Sequence, residues 1–193
     1  IITPIRDLKL SREEEIQYLT EKGFSGDYTK SVYSINQGLW GTSVGGKETL
    51  TSHSNLPEEA YPSQLKKQNP EKLTLEFEKG HLIKINDQKF SHPSKAIVEL
   101  NEIASEFAIG RDTHVGDTII GIKGRVGFEA AGAILTLKAH HLLEKHVLSK
   151  YQLMIKSQMA DWYGTWLHEA LFLDPVMRDI EKLMENSQKN VTG

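Results

Sequence analysis

Charged residues and glycines are concentrated in one stretch of this 193-residue chain, from Gly110 to Glu129. The stretch surrounds a single apolar run, Ile119 to Ile122, which is too short for a helix and predicts a buried strand. Lys123 and Arg125 would then lie at the end of that strand, where they could steady an anionic substrate or intermediate. A tight turn with solvated charges, or an ion pair with Glu129, accounts for the same residues equally well.

Two serines upstream form a second candidate site. Ser34 and Ser43 lie in a polar segment without strong periodicity. A hydroxyl both donates and accepts hydrogen bonds, so either serine can bind a carboxylate or a ureido oxygen. Serine is also a common turn residue in polar loops, and the residues alone leave both interpretations open.

Both stretches resemble segments of argininosuccinate synthase, in the same order. That family has the pattern Gly-Arg … Ile-Gly-(Met/Ile)-Lys-Ser-Arg-Gly-(Ile/Val)-Tyr-Glu, which corresponds here to Gly110-Arg111 followed by residues 120–129. It also has Trp-Ser-(Met/Ile)-Asp/Asn-x-Asn-Leu-x-x-x-Ser, which corresponds to the segment from Tyr33 to Ser43. Two matches in order are more specific than one. The resemblance covers nearly the whole chain, whereas the chain covers only the C-terminal half of the family's length.

The resemblance implies an ATP-dependent ligase of arginine biosynthesis, a cytoplasmic homotetramer that joins citrulline and aspartate. This chain would be its C-terminal synthetase portion and would supply citrulline contacts and subunit contacts. ATP, with Mg, is expected to bind the family's N-terminal pyrophosphatase-type domain, whose Ser-Gly-Gly-(Leu/Phe)-Asp motif is missing from these residues. A Gly-x-x-x-x-Gly-Lys-Ser/Thr loop is missing too, so this chain alone is expected to bind no ATP and to be inactive.

The resemblance assigns four citrulline-site positions. Ser34 and Ser43 match two serines that bind citrulline in the family. Gly116 and Phe128 stand where the family has a glutamate and a tyrosine that contact citrulline. Glycine accepts no side-chain hydrogen bond, and phenylalanine keeps the ring of tyrosine without its hydroxyl. No catalytic residue and no metal ligand is assigned.

These two departures leave open how the site is completed. Asp117 and Glu129 are candidate replacements for the family glutamate, and His114 is a third. If none of them serves, the chain is expected to be a catalytically silent oligomerisation or ligand-binding module of the same fold. The matched Lys123-x-Arg125 pattern and the pair of serines favour the enzyme.

Composition argues against several other classes of function. A formal net charge of −3 indicates neither nucleic acid nor an anionic membrane as a partner, and no apolar run approaches the roughly 20 residues of a membrane-spanning helix. The absence of cysteine excludes disulfides and is compatible with the cytoplasm. His140, His141 and His146 include no pair four residues apart, so no metal site is expected there. Trp162 and Trp166 lack an accompanying basic patch and are expected in a buried helix–helix or subunit contact.

The pattern of elements predicts an α+β fold, in which an antiparallel β-sheet with packed helices precedes a C-terminal helical region. Alternating apolar residues predict a meander from Leu73 to Phe90, and a core-facing helix capped by Ser91 follows it. The strand from Thr118 to Ile122 comes next. Three further helices are predicted: Ala130 to Leu148, Ser149 to Leu171 and Asp174 to Gln188.

Two regions are expected along the chain. Residues 1–32 would be the trailing edge of the family's nucleotide-binding domain, where Ile1 to Leu8 leave a strand and Ser11 caps a helix. Residues 33–193 would be the synthetase and oligomerisation domain, truncated at its C-terminal end. Within it, residues 57–72 are expected to form a solvated linker.

Overall fold

The structure is a computed structural model that describes residues 1–26, 28 and 32–193. They divide into two compact units, Ile1–Ser34 and Ile35–Gly193. The described residues form six α-helices: α1 (Pro4–Leu8), α2 (Arg12–Glu21), α3 (Pro93–Ser105), α4 (Ala131–Val147), α5 (Lys150–His168) and α6 (Pro175–Gln188). They also form seven strands: β1 (Ser34–Gly38), β2 (Gly41–Gly45), β3 (Leu75–Glu78), β4 (His81–Ile85), β5 (Gln88–Lys89), β6 (Arg111–Asp117) and β7 (Lys123–Glu129). Antiparallel sheets followed by helices confirm the predicted α+β class.

The first unit contains the short helix α1 and the helix α2. The strand exit expected at Ile1 to Leu8 is wrong, because Pro4 begins a helix there and proline has the fixed φ that suits a first helical position. The capping box of α2 is confirmed. Ser11 Oγ accepts a hydrogen bond from the Glu14 backbone at 3.3 Å, and the Glu14 carboxylate accepts one from the Ser11 backbone at 2.7 Å.

The predicted buried strand at Thr118 to Ile122 is wrong. These residues form the loop of the β6–β7 hairpin, which Thr118 closes by donating its backbone N–H to the Ile122 carbonyl at 2.9 Å. Gly121 within the loop adopts a φ of 78°, which an isoleucine could adopt only under strain. The three isoleucines of the loop are between 62% and 78% exposed. The charged and glycine-rich residues on either side form the strands instead, because they pair through their backbones.

The second sheet, in the order β3-β4-β5, is the predicted meander. Helix α3 packs on it, and together they form a cluster of buried side chains: Phe77, Leu82, Ile85, Ala96 and Leu100. The cap expected at Ser91 is displaced by one residue. Pro93 occupies the start of α3, so His92 is the N-cap and its Nδ1 accepts a hydrogen bond from the Ser94 backbone at 3.2 Å.

The C-terminal helices α4, α5 and α6 lie close to their predicted bounds. Asp174 is the N-cap of α6, as predicted, and accepts a hydrogen bond from the Val176 backbone at 3.0 Å. Trp162 on α5 is 53% exposed, so it is not buried against another helix of this chain. None of the helices in the described part of the chain is long and apolar enough to cross a membrane.

A buried polar network joins the three C-terminal helices. The Glu144 side chain on α4 is 1% exposed, and Lys156 on α5 forms an ion pair with it at 3.1 Å. Gln188 on α6 donates to the same carboxylate at 2.7 Å and accepts from His140 Nε2 at 2.9 Å. Burial raises the pKa of Glu144, but the hydrogen bonds from Gln188 and Lys156 outweigh it and leave that pKa below its ordinary value. The carboxylate is therefore charged in the folded protein.

Acidification from pH 7 to pH 5 is expected to destabilise the folded chain partly through His140. Burial lowers the pKa of His140 below its ordinary value of 6.5, although the Glu144 charge opposes the shift. As the pH falls through 6.5, the unfolded chain binds a proton that the folded chain does not, so the free energy of unfolding falls. The slope for one proton is at most about 1.4 kcal/mol per pH unit.

The measurement is chemical denaturation at several pH values for the parent and for His140→Gln. Glutamine keeps a polar side chain at this position but does not titrate, so the variant is expected to show a shallower pH dependence between pH 6.5 and pH 5. Equal slopes for the two proteins would contradict this role for His140.

Candidate functional site

One row of the four-stranded sheet brings together two of the predicted citrulline-site residues. Ser43 on β2 lies directly opposite Phe128 on β7, and Phe128 lies directly opposite Asp112 on β6. Opposed residues in an antiparallel sheet project to the same face. Ser43 and Phe128 are half-buried and Asp112 is exposed, so the row combines an apolar ring with two polar side chains within reach of a ligand. We call this the Ser43–Phe128 face.

Gly116 lies on the same face but nearer the hairpin loop. It is opposite Gly124, four residues from Phe128 along β7, which is about 13 Å of extended strand. The His114 imidazole is its neighbour on this face. A Cβ built on Gly116 would lie 2.5 Å from His114 Nε2, closer than real atoms approach. The imidazole therefore occupies the space that a side chain at position 116 would need.

The opposite face of the sheet carries a buried ion pair between Arg111 and Glu129. Arg111 Nε lies 3.4 Å from the Glu129 carboxylate, and their side chains are 12% and 10% exposed. Ser63 donates to that carboxylate from its backbone at 3.2 Å and from its hydroxyl at 2.8 Å. Arg111 also binds the Ser63 carbonyl, pairs with Glu58 at 2.5 Å and lies 4.5 Å from the centre of the Tyr61 ring. We call this group the Arg111 clamp.

The Arg111 clamp fixes a loop that was expected to be a solvated linker. Ala60 in this loop is 2% exposed. Ser63 in the loop binds Glu129, and the Tyr61 ring contacts Arg111. Burial raises the pKa of Tyr61, and the nearby Arg111 charge opposes that rise. The linker expectation for residues 57–72 is therefore wrong at its N-terminal end, because a charged pair in the sheet holds the loop against β6 and β7.

Lys123 and Arg125 are engaged in structural contacts. Lys123 Nζ forms an ion pair with Asp117 at 2.7 Å, and both side chains are more than 60% exposed. Arg125 donates to the backbone carbonyls of Ser54 at 3.2 Å and Glu48 at 3.5 Å. The ion pair considered between these cations and Glu129 is not formed, because Arg111 takes that partner.

Comparison with known proteins decides the family. The model of the arginosuccinate synthase C-terminal domain matches residues 33–193. This chain belongs to the argininosuccinate synthase family. The argininosuccinate synthase of Methanocaldococcus jannaschii is 37% identical over 196 residues, with 100% of this chain and 49% of that protein aligned. Those of Metallosphaera sedula and Dictyoglomus turgidum are each 34% identical, again with 100% of this chain and 49% of the relative aligned.

The chain spans about half the length of these argininosuccinate synthases. Of the four positions predicted to bind citrulline, Ser43, Gly116 and Phe128 project from one face of the second unit. Ser34 is exposed at the start of β1 and is the last residue of the first unit. Their roles in an argininosuccinate synthase site stay predictions that rest on the resemblance.

Two side chains of this face were not among the four assigned positions. Asp112 belongs to the Ser43–Phe128 row, and its Oδ1 accepts a hydrogen bond from the Thr113 backbone at 2.7 Å. His114 is the next residue of β6 on the same face, two positions from Asp112. Side chains along β6 alternate between the two faces of the sheet, so the pairing of β6 with β7 identifies these two residues. The sequence does not reveal that pairing, because its apolar run lies in the hairpin loop and not in a strand.

Two of the three histidines of α4, His140 and His141, lie beside Glu144. The His140 ring contacts Phe77 at a centroid distance of 5.4 Å and belongs to the Glu144 network. His141 lies 3.6 Å from the Glu144 carboxylate. Among the residues that the structure describes, no three histidine or acidic side chains are grouped so that they could hold a metal ion.

Proposed function

We propose that this chain is the citrulline-binding and subunit-contact portion of an enzyme that ligates citrulline and aspartate to argininosuccinate in arginine biosynthesis. Membership of the argininosuccinate synthase family supports the reaction. The observation that carries the role of this portion is the Ser43–Phe128 row, in which two matched positions of the family's citrulline site lie directly opposite each other. Residues 33–193 would then be the synthetase and oligomerisation domain, and residues 1–32 the edge of the nucleotide-binding domain.

In the proposed reaction the ureido oxygen of citrulline would take the AMP group of ATP, with release of pyrophosphate, and the amine of aspartate would then displace AMP. Mg would be bound together with the ATP. The sequence contains neither of the phosphate-binding motifs considered above, so ATP is proposed to bind residues outside this chain. The contribution of the chain is positioning. A substrate held by hydroxyl donors against a fixed aromatic ring loses rotational freedom before the reaction, which lowers the entropic part of the barrier.

Two features of the Ser43–Phe128 face suit the ureido side chain of citrulline, and a third, on the opposite face, holds the strand in place. The Ser43 hydroxyl can donate to the ureido oxygen, and the Phe128 ring offers a flat apolar surface to the methylene groups. Glu129, the neighbour of Phe128, is held on the opposite face by the Arg111 clamp. The strand that carries Phe128 is therefore fixed at the site, which is what preorganisation requires.

The experiment is calorimetric titration with citrulline of the 193-residue chain alone and mixed with the complementary half of the Methanocaldococcus jannaschii protein. The two halves of that protein, mixed in the same way, are the positive control. Binding only in the mixed sample is expected, since the site would be divided between the halves. No binding in either sample, with a working control, would favour a catalytically silent module.

We also propose that the full protein is a cytoplasmic homotetramer and that α5 contributes to a subunit contact. Five large apolar side chains of α5 are about half exposed or more: Tyr151, Met154, Ile155, Trp162 and Leu167. Helical spacing places Tyr151, Ile155 and Trp162 on one face of α5, and an exposed apolar face is typical of interfaces. Sedimentation of the calorimetry samples gives their mass, and a monomer at every concentration would contradict the proposal.

A further inference from the structure

We propose that His114 is a substrate-contacting residue of this site and accepts a hydrogen bond from an N–H group of the substrate. The inference rests on the proposed function and names one more contact of the same site. Three observations support it. His114 lies on the Ser43–Phe128 face, its imidazole lies beside Gly116, and the two acidic candidates, Asp117 and Glu129, form ion pairs on the opposite face.

His114 is positioned to reach a ligand on this face. It lies two residues from Asp112 along β6, and alternation places both side chains on the side of the sheet that carries Ser43 and Phe128. Its side chain is exposed. No hydrogen bond or ion pair joins His114 to another described residue, so both ring nitrogens are available.

The absence of a side chain at Gly116 leaves room for the His114 imidazole. Any side chain at 116 would begin 2.5 Å from His114 Nε2 and would force the ring away. The φ of Gly116 does not lie in the left-handed region, so the glycine is not required by its backbone conformation. A side chain at position 116 and the His114 imidazole in its present position would therefore compete for the same space.

The two acidic replacements considered from the sequence face the other way. Glu129 lies in the Arg111 clamp with its carboxylate bound by Arg111 and Ser63. Asp117 alternates to the face opposite His114 and forms an ion pair with Lys123. Either acid would have to leave its partner and cross the sheet to reach a ligand beside Phe128.

An imidazole and a carboxylate select different partners. A neutral imidazole has one nitrogen that accepts and one that donates, whereas a carboxylate accepts through two oxygens and carries a full negative charge. His114 is therefore suited to the uncharged N–H groups of a ureido side chain, through one nitrogen of the ring. The expected ligand is a ureido compound such as citrulline. A carboxylate at this position would instead favour a charged ammonium group.

The test uses citrulline titration of the mixed-half sample described above, with four variants of this chain. His114→Ala is expected to weaken citrulline binding about tenfold, because one hydrogen bond is lost. His114→Gln keeps an acceptor and is expected to stay within about threefold of the parent. His114→Ala combined with Gly116→Glu places a carboxylate in the vacated space and is expected to restore binding. Asp117→Asn, the rival candidate, is expected to change nothing.

His168→Ala is the matched control, since it removes an exposed histidine from α5 and not from the sheet. A second readout is the NMR signal of the His114 ring, which should shift on addition of citrulline while that of His168 stays unchanged. Parent binding that His114→Ala leaves intact would overturn this inference and leave the proposed function standing. Failure of the parent itself to bind, with a working positive control, would overturn the proposed function and this inference with it.

Discussion

Replacement of Arg111 by methionine is expected to lower the free energy of unfolding by about 3 kcal/mol, because it leaves a buried carboxylate without its cation. The Glu129 side chain is only 10% exposed, and after the change it would keep only the hydrogen bonds from Ser63. The loop that carries Ser63 and Tyr61 would also lose its contacts with the guanidinium. Chemical denaturation followed by circular dichroism measures the loss.

Two further variants separate the charge from the packing. Adding Glu129→Gln to Arg111→Met removes the uncompensated charge and keeps an acceptor for Ser63, so it should recover at least about 1 kcal/mol. Lys123→Met is the matched control, because it removes the cation of an exposed ion pair on the same two strands. It is expected to have little effect on stability. Equal losses for Lys123→Met and Arg111→Met would contradict the buried clamp.

The parts of the fold that could be predicted from sequence are those with a periodic pattern and a local stop signal. The meander β3–β5 alternates apolar and polar residues, and α6 begins at an aspartate followed by proline. Each of these signals lies within a few neighbouring residues. Distant contacts add to these elements without replacing them, as where the Phe77 backbone N–H donates to the Gly193 carbonyl at 2.8 Å.

The β6–β7 hairpin could not be predicted in the same way, because its pattern is inverted. Its apolar isoleucines lie in the exposed loop. Its charged residues Arg111 and Glu129 lie in the strands and have buried side chains. Two contacts stabilise these side chains: Arg111 pairs with Glu129, 18 positions away, and Ser63 binds Glu129 from 66 positions away. Contacts at that separation leave no periodic signal in a single sequence.

The candidate site was only partly predictable for the same reason. The resemblance indicated Ser43, Gly116 and Phe128, but the face that each occupies follows from strand register. The register places Asp117 and Glu129 on the face opposite Phe128 and places His114 on the same face as Phe128. A shift of one residue in the pairing of β6 would reverse that placement, since it exchanges the two faces.

Replacement of Lys156 by methionine is expected to cost about 3 kcal/mol at pH 7, because Glu144 is buried and loses its only lysine partner among the described residues. Burial raises the pKa of Glu144, and in the parent the hydrogen bonds from Gln188 and Lys156 outweigh it. Without Lys156 the folded-state pKa should rise, so protonation of the carboxyl relieves the buried charge in acid. The variant is therefore expected to be closer to the parent in stability at pH 5 than at pH 7.

The pH dependence distinguishes this electrostatic effect from a simple loss of packing. In the parent the folded-state pKa of Glu144 lies below its ordinary value of 4.5, so its contribution is present above that pH and is lost as the pH falls through it. In Lys156→Met the order of the two pKa values is expected to reverse, and acid should then favour the folded state. Denaturation at both pH values, with Lys182→Met of the exposed Lys182–Glu185 pair as the control, measures the difference. A deficit that stays constant with pH would mean that Lys156 stabilises the helices through its methylene groups and not through its charge.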